Sequence, residues 1–362
     1  MSEHPDIPTL NLSGTPAQIG EAHGEAAREK IKDHTDRFLE LLLSRAVTVP
    51  DEESLWSKWS PQVSANERFA PDLVEEMRGI ARGSGVSFER IFLLNSLLDL
   101  VSFYYADMAE NFGCTSFAVS RAAGSGGTLV GQTYDMPEIH QDFLILLRIE
   151  PQQGPRQLVF SFAGIVGAAG LNEAGIGLSI NYLSPLDVGV GRLHSVVVRQ
   201  VLGARNLANA LAPPVQPPRA GGAHFLIADQ DGNVVSIETT AKRYEVFYPE
   251  DNVYGHTNHY LGHSLKGTEY IRRDSIGSSL ARYTALRRYL RESGNELDLE
   301  RLKELTRNHT SFPQSICTHG RDTDPQERRT RSLSAMVHEL DKRTIHITNG
   351  CACESRYHPV SL

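Results

Sequence analysis

Apolar residues in the first third of the chain recur with a helical period, and those in the rest recur with an extended one. From Thr15 to about Arg45, Ile19, His23, Ala26, Ile31, Phe38 and Leu42 return at near-helical intervals among charged residues, which predicts helix. Asp72 to Ala81 continues that pattern and runs into a glycine, and Ser87-Phe88-Glu89-Arg90 opens a further helix with Ser87 as its cap. Residues 1–113 are therefore expected to be mostly helical.

At Cys114 the period changes. Thr115 to Ser120, Leu129 to Asp135, Phe143 to Ile149 and Leu158 to Ala163 are short β-prone runs broken by glycine and proline. Asn172-Glu173-Ala174-Gly175 is a turn that feeds a strand from Ile176 to Tyr182, and residues 193–211 return to a helical pattern. Pro213 to Pro218 reads as an extended loop within one domain, because strand pattern resumes at once. Ala223 to Asp229 and Val234 to Thr240 flank Gln230-Asp231-Gly232-Asn233, a strong hairpin signal, and another strand pair is expected to close the sheet. Ser275 to Arg291 and Leu299 to Asn308 read as helices, and Ser332 to Glu339 pairs with Thr344 to Thr348 around Asp341-Lys342. This order predicts an α+β fold of two sheets packed face to face with helices outside, a four-layer sandwich. Residues 1–113 and 114–362 would form one structural domain.

Composition narrows the classes of partner. The 362 residues can bury a full core, and acidic side chains exceed basic ones by 44 to 36. With a pI near 6.0, no basic face advertises nucleic acid or an anionic membrane, which leaves small molecules and copies of the chain itself. The longest apolar stretch, near Arg90 to Leu98, is too short and too polar to span a bilayer, and Met1 to Asp6 lacks the basic start and apolar run of a secretory signal. Four cysteines without a disulfide-like spacing suit a reducing compartment, so a cytoplasmic location is expected.

Cys114 lies in Asn111-Phe112-Gly113-Cys114-Thr115-Ser116-Phe117-Ala118-Val119, where the period changes. A cysteine nucleophile needs a proton acceptor, and no base neighbours this one in sequence. A cut at Gly113/Cys114 would supply it as a free α-amine on Cys114. That amine titrates at about 7.7 to 8.0 and a thiol at about 8.5, so the two are matched for proton transfer near neutrality. Gly113 is expected to assist through its conformational freedom, letting the thiol approach the preceding carbonyl. The competing reading is a buried cysteine that opens a strand.

Other residues supply further candidates. Gly131-Gln132-Thr133-Tyr134-Asp135 ends the next strand in a carboxylate, and a hairpin through Gly124 to Gly127 would bring Asp135 back beside Cys114. Locally, Asp135 could equally cap a turn before Pro137. Asparagine amides suit an oxyanion site, and Asn181 and Asn258 stand at a strand end and in Gly255-His256-Thr257-Asn258-His259, although each also reads as a turn or ladder residue. His256, His259 and His263 form a weak zinc-like set, weakened further by Gly255 and Gly262. Cys351-Ala352-Cys353 with His358 lacks the usual two-residue gap of zinc knuckles and reads as an ordinary C-terminal segment. No metal or cofactor is expected.

Taken in order, these pieces resemble the acyl-coenzyme A:6-aminopenicillanic acid acyltransferase family, a branch of the N-terminal nucleophile (Ntn) hydrolases. The likeness runs through Gly20 and Gly24, Met77 to Val86, Gly113 to Ser116, Gly131 to Asp135, Asn172 to Gly177, His256 to His259 and Ser315 to His319. It implies an αββα sandwich that cuts itself at Gly113/Cys114 into an α chain, residues 1–113, and a β chain, residues 114–362, which remain associated. It also implies that Cys114 is the nucleophile, that Asp135 holds its amine, and that Asn181 and Asn258 help to build the oxyanion site. An arginine completes such sites, and Arg282 is preferred over Arg329 and Arg331, the alternative for Arg282 being a surface helix charge. Gln132 stands where bile-salt and penicillin V hydrolases tend to carry arginine, a departure that argues against those two activities.

The expected activity is hydrolysis of a small linear amide, of N-acyl or β-alanyl amine type, through an acyl-Cys114 intermediate. Transfer of an acyl group from a thioester or amide to an amine is the alternative. Two other classes remain open at this point: a metal-dependent hydrolase using His256, His259 and His263, and a non-catalytic binding protein on the same fold.

Overall fold

The change of period at Cys114 marks the boundary between a helical segment and two sheets. The computed structural model describes residues 5–46, 48–104, 113–123, 126–249, 251–270, 273–321, 323–325 and 329–362. Asn111, Phe112 and the first half of the Gly124 to Gly127 turn lie outside them.

The N-terminal segment opens with a strand that the helical pattern concealed, β1 (Thr9–Gly14). Helices α1 (Pro16–Ala26), α2 (Arg28–Arg45), α3 (Glu52–Trp59), α4 (Pro61–Phe69), α5 (Pro71–Ser84), α6 (Phe88–Asn95) and α7 (Leu97–Phe103) follow. The run from Thr15 to Arg45 is thus two helices, separated at Ala27. Helix α1 starts where the sequence allows, with a Thr15/Gln18 capping box and Pro16 in its first turn, while α5 stops at Gly85, whose φ of 73° suits glycine. Ser87 caps α6 as expected.

Glycines decide how α1 and α5 cross. A Cβ at Gly20 would lie 1.9 Å from the Glu76 carbonyl oxygen, and one at Gly79 would lie 2.4 Å from that of Ala17. Backbone therefore meets backbone. The buried Glu76 side chain on α5 pairs in turn with Arg199 at 2.7 Å, joining this segment to the rest of the core.

Among the described residues, one sheet has eight strands in the order β1-β4-β5-β6-β7-β8-β9-β10, with β4 (Leu144–Pro151), β5 (Gln157–Phe162), β6 (Ala169–Asn172), β7 (Ile176–Leu183), β8 (Gly222–Asp229), β9 (Val234–Thr239) and β10 (Tyr244–Phe247). The other has six in the order β11-β2-β3-β12-β13-β14. Its strands are β2 (Gly113–Val119), β3 (Leu129–Pro137), β11 (Val253–His256), β12 (Thr330–Glu339), β13 (Thr344–Ile347) and β14 (His358–Ser361). Strands β2 and β3 pack on β7 and β8. Helices α8 (His194–Leu202) and α9 (Leu207–Val215) cover the outer face of the first sheet, and α10 (Arg273–Ser293) and α11 (Leu299–Leu305) cover that of the second. This is the expected αββα layering. Every residue of β2 and β3 is buried, because both faces of their sheet are covered.

Pro213 and Pro214 continue α9 instead of forming an extended loop. Their own N–H groups are missing, but their carbonyls are taken by the buried guanidiniums of Arg192 at 3.0 Å and Arg219 at 2.7 Å, which stabilise that helix end.

Replacing Gly20 by valine is expected to destabilise the protein by about 1–3 kcal/mol or more, since a backbone carbonyl cannot yield to the new side chain. In contrast, Gly277→Ala, on an exposed turn of α10 with nothing within 4 Å, should be neutral or stabilising by up to about 1 kcal/mol. Urea unfolding of the two variants tests the difference.

Candidate active site

Antiparallel pairing of β2 with β3 sets Cys114 opposite Tyr134 and Gly113 opposite Asp135. Because side chains alternate along a strand, Cys114 faces the space between the sheets, as Ser116 does when its hydroxyl donates to Asn181 on β7 at 2.6 Å. Asp135 faces the other way, towards α10. There its carboxylate accepts hydrogen bonds from Ser332 at 2.7 Å and Thr318 at 3.2 Å. Gly113 sits close under that carboxylate: a Cβ there would lie 3.0 Å from Asp135 Oδ2, so a side chain would require Asp135 to give way by a few tenths of an ångström.

Side chains hold both polar backbone groups of Cys114. Its N–H donates to Asn258 Oδ1 at 2.8 Å, and its carbonyl accepts from Arg282 Nη1 at 2.6 Å. Arg282 also donates to Thr115 Oγ1 at 3.0 Å and, through Nη2, to Asn258 Oδ1 at 2.9 Å. Asn258 Nδ2 donates to the Tyr182 carbonyl at 3.0 Å. Four residues distant in sequence, Cys114, Asp135, Asn258 and Arg282, thus meet around the two peptide units that flank the Cα of Cys114.

Burial dominates the electrostatics. It pushes the Cys114 thiol up to about 12, the charge of Asp135 adding to the rise, while backbone N–H groups of Asp135 and Tyr182 and the Arg282 charge oppose it. A thiol in this state is neutral at pH 7 and needs a base close to it. Burial also lifts Asp135 from the ordinary 3.8 to about 6, against the pull of Arg282 and the two hydroxyls.

Asn181 lies elsewhere in the same layer. Its Oδ1 faces the Ser116 hydroxyl, His224 Nδ1 at 2.7 Å and His256 Nδ1 at 3.2 Å, and the next residue, Tyr182, reaches the thiol. The three histidines of the zinc-like set do not converge. His256 binds Glu238 at 2.8 Å and His259 binds Ser279 at 2.8 Å, while His263 is exposed. Arg331 pairs with Glu354 and Glu138, and Arg329 lies beside Glu138, so Arg282 is the arginine at Cys114. Gln132 is fully buried and accepts the Ile180 N–H at 2.7 Å, tying β3 to β7.

Two clefts flank this arrangement. One, of ≈ 520 Å³ including its open mouth, is mixed in character and lined by Gly113, Asn258, Ser278, Arg282 and Thr318. The other, of ≈ 360 Å³, is mainly apolar, with Leu97, Leu98, Tyr134, Phe162 and Ile165 in its wall. Sequence reasoning did not single out Ser332, Thr318 or the Tyr182 backbone. Ser332 is the register partner of Asp135, a relation that only the β3–β12 pairing exposes.

Residues 122–351 match the family model described as acyl-coenzyme A:6-aminopenicillanic acid acyl-transferase. The chain is 25% identical over 311 residues to the 40 kDa form of acyl-coenzyme A:6-aminopenicillanic-acid-acyltransferase from Emericella nidulans, covering 85% of this chain and 84% of that protein. Among solved structures, a variant of the conjugated bile acid hydrolase of Clostridium perfringens superposes with a TM-score of 0.44 at 12% identity, over 69% of this chain and 92% of that one. Penicillin V acylase from Agrobacterium tumefaciens gives 0.45 at 10% identity, over 69% and 86%.

The unfolded chain ionises Asp135 near 3.8 and the folded chain near 6, so this group withdraws stability as pH rises through that window and contributes no further change above it. Ser332→Ala removes a donor to the ionised form and should move the titration of Asp135 upward by roughly one unit. Infrared difference spectra of the protonated carboxyl band against pH measure the shift.

Proposed function

The chain belongs to the acyl-coenzyme A:6-aminopenicillanic acid acyl-transferase family, and on that premise we propose that it is a self-processing amide hydrolase with Cys114 as nucleophile. The observation that supports this reading most is the grip on the Gly113-Cys114 unit: Asn258 holds the nitrogen of Cys114, Arg282 its carbonyl, and Asp135 flanks Gly113.

In the processing step, the Cys114 sulfur adds to the Gly113 carbonyl, the C–N bond breaks, and the thiol proton ends on the departing nitrogen. Water then hydrolyses the thioester, leaving a Gly113 carboxylate and a free amine and thiol on Cys114. The amine is the base that the buried thiol lacks in the uncut chain. Once ionised, Asp135 holds it, as the short approach of its carboxylate to Gly113 favours. Residues 1–113 become an α chain and 114–362 a β chain that stay joined through their shared core, within which Leu100 and Cys114 belong to one cluster.

In turnover, the α-amine takes the thiol proton and the thiolate attacks the substrate carbonyl. Asn258 Nδ2 and the Tyr182 N–H are the donors we assign to the oxyanion. Asn181 serves as a positioning residue, fixing β7 through its contacts with Ser116, His224 and His256. The amine then protonates the leaving group, and water releases the acyl enzyme. The apolar cleft beside Tyr134 favours an uncharged acyl chain over a β-alanyl group. Transfer to an amine acceptor is the second reading, supported by the likeness to the Emericella nidulans acyltransferase.

Incubation with a panel of short N-acyl amides and thioesters should give an acyl adduct on the fragment that begins at Cys114, visible by mass spectrometry after acid quench. Cys114→Ala should give neither adduct nor turnover; an active Cys114→Ala protein would sink the reading. Added hydroxylamine divides hydrolysis from transfer by the ratio of free acid to hydroxamate. Activity should fall as pH drops below about 7.7 to 8.0, where the α-amine of Cys114, the base in this reading, takes up its proton.

A further inference from the structure

Away from Cys114, four soft and borderline ligands converge. His309 and His319 approach through Nε2 at 3.2 Å, Cys317 and Cys353 through Sγ at 3.6 Å, and His319 Nε2 lies 3.6 Å from Cys317 and 3.3 Å from Cys353. All four ligand atoms are within 4.8 Å of one another. A tetrahedral zinc with bonds of about 2.3 Å to sulfur and about 2.0–2.1 Å to nitrogen would separate its two sulfurs by about 3.7 Å and its two nitrogens by about 3.3 Å. The observed spacings match that geometry. They do not match a bonded pair of sulfurs, which would lie about 2.05 Å apart.

We propose that His309, Cys317, His319 and Cys353 bind one Zn²⁺ in a closed, structural Cys₂His₂ site. Two thiolates neutralise the ion, binding releases the two thiol protons, and no position is left open for substrate. Backbone geometry prepares the loop: the Cys317 N–H donates to the Asn308 carbonyl at 3.0 Å and the His319 N–H to that of Pro313 at 2.9 Å, folding the strand of ligands back on itself. An outer layer is present as well. His319 Nδ1 faces Glu354 at 3.7 Å and Cys351 at 4.0 Å, groups of the type that orient a metal-bound imidazole once within hydrogen-bond distance.

The site has a consequence for the reacting centre. Thr318 lies between two of the ligands and donates to Asp135 Oδ2, and its N–H donates to Ser332 Oγ, which donates to the other carboxylate oxygen. Zinc therefore pins the segment that positions Asp135 against the C-terminal segment carrying Cys353. Nothing in this site depends on the Gly113/Cys114 bond being cut.

Protein purified under reducing conditions should carry about one zinc per chain by plasma mass spectrometry. Apoprotein given Co²⁺ should show thiolate-to-cobalt charge-transfer absorption, which Zn²⁺ then displaces. Cys353→Ser and His309→Ala should each lower metal affinity at least about tenfold, whereas Cys351→Ser and Cys114→Ala should retain the metal. Zinc removal should lower the unfolding temperature of the Cys114→Ala protein too, which separates this site from the processing reaction. Reduced wild-type protein that holds no zinc and gives no cobalt–thiolate absorption would overturn the proposal, as would a Cys317–Cys353 disulfide in protein kept reduced throughout.

Discussion

Burial of the Arg282 guanidinium is the constraint on which the site depends. At 2% exposure it is almost withdrawn from bulk solvent, so most of its donors and its charge are met within the protein. The Cys114 carbonyl, Thr115 Oγ1 and Asn258 Oδ1 take the donors, and Asp135 supplies the opposing charge. Those four partners come from three places in the fold: the start of β2, the end of β3 and the loop after β11. Meeting the needs of one buried cation therefore aligns the peptide that precedes Cys114 with a carboxylate and an amide.

The same economy appears on the opposite face of β2. Ser116, Asn181, His224, His256 and Glu238 form a fully buried polar chain between the sheets, with the His224 and His256 rings stacked at 3.7 Å. Such a network restrains how β2 lies over β7, because breaking its hydrogen bonds in a buried core would be costly. It also explains why Asn181, a strand residue one pleat away from the thiol, positions the Tyr182 backbone that faces Cys114.

Much of this was legible before any coordinates. The switch of period at Cys114 located the helix-to-sheet boundary, and the spacing to Asp135 foretold the β2–β3 hairpin, because both are local signals. What escaped was long-range. Strand β1 pairs in parallel with β4 across the whole helical segment, and Ser332 meets Asp135 only through a strand far along the chain. The close approach of Asp135 to Gly113 is likewise a relation between strands that the Gly113-Cys114 pair alone does not encode. The single-residue gap of Cys351-Ala352-Cys353 does not by itself point to a metal site. Its second cysteine acquires partners from residues 309–319, a juxtaposition that spacing within one motif does not encode.

N-terminal sequencing of the purified, active wild-type protein tests the central claim most directly. The account predicts a second N-terminus reading Cys114-Thr115-Ser116-Phe117, carried by a chain of about 28 kDa beside one of about 12 kDa, in proportion to their shares of the 40.0 kDa total. A fully active enzyme with residue 114 still joined to Gly113 would contradict it.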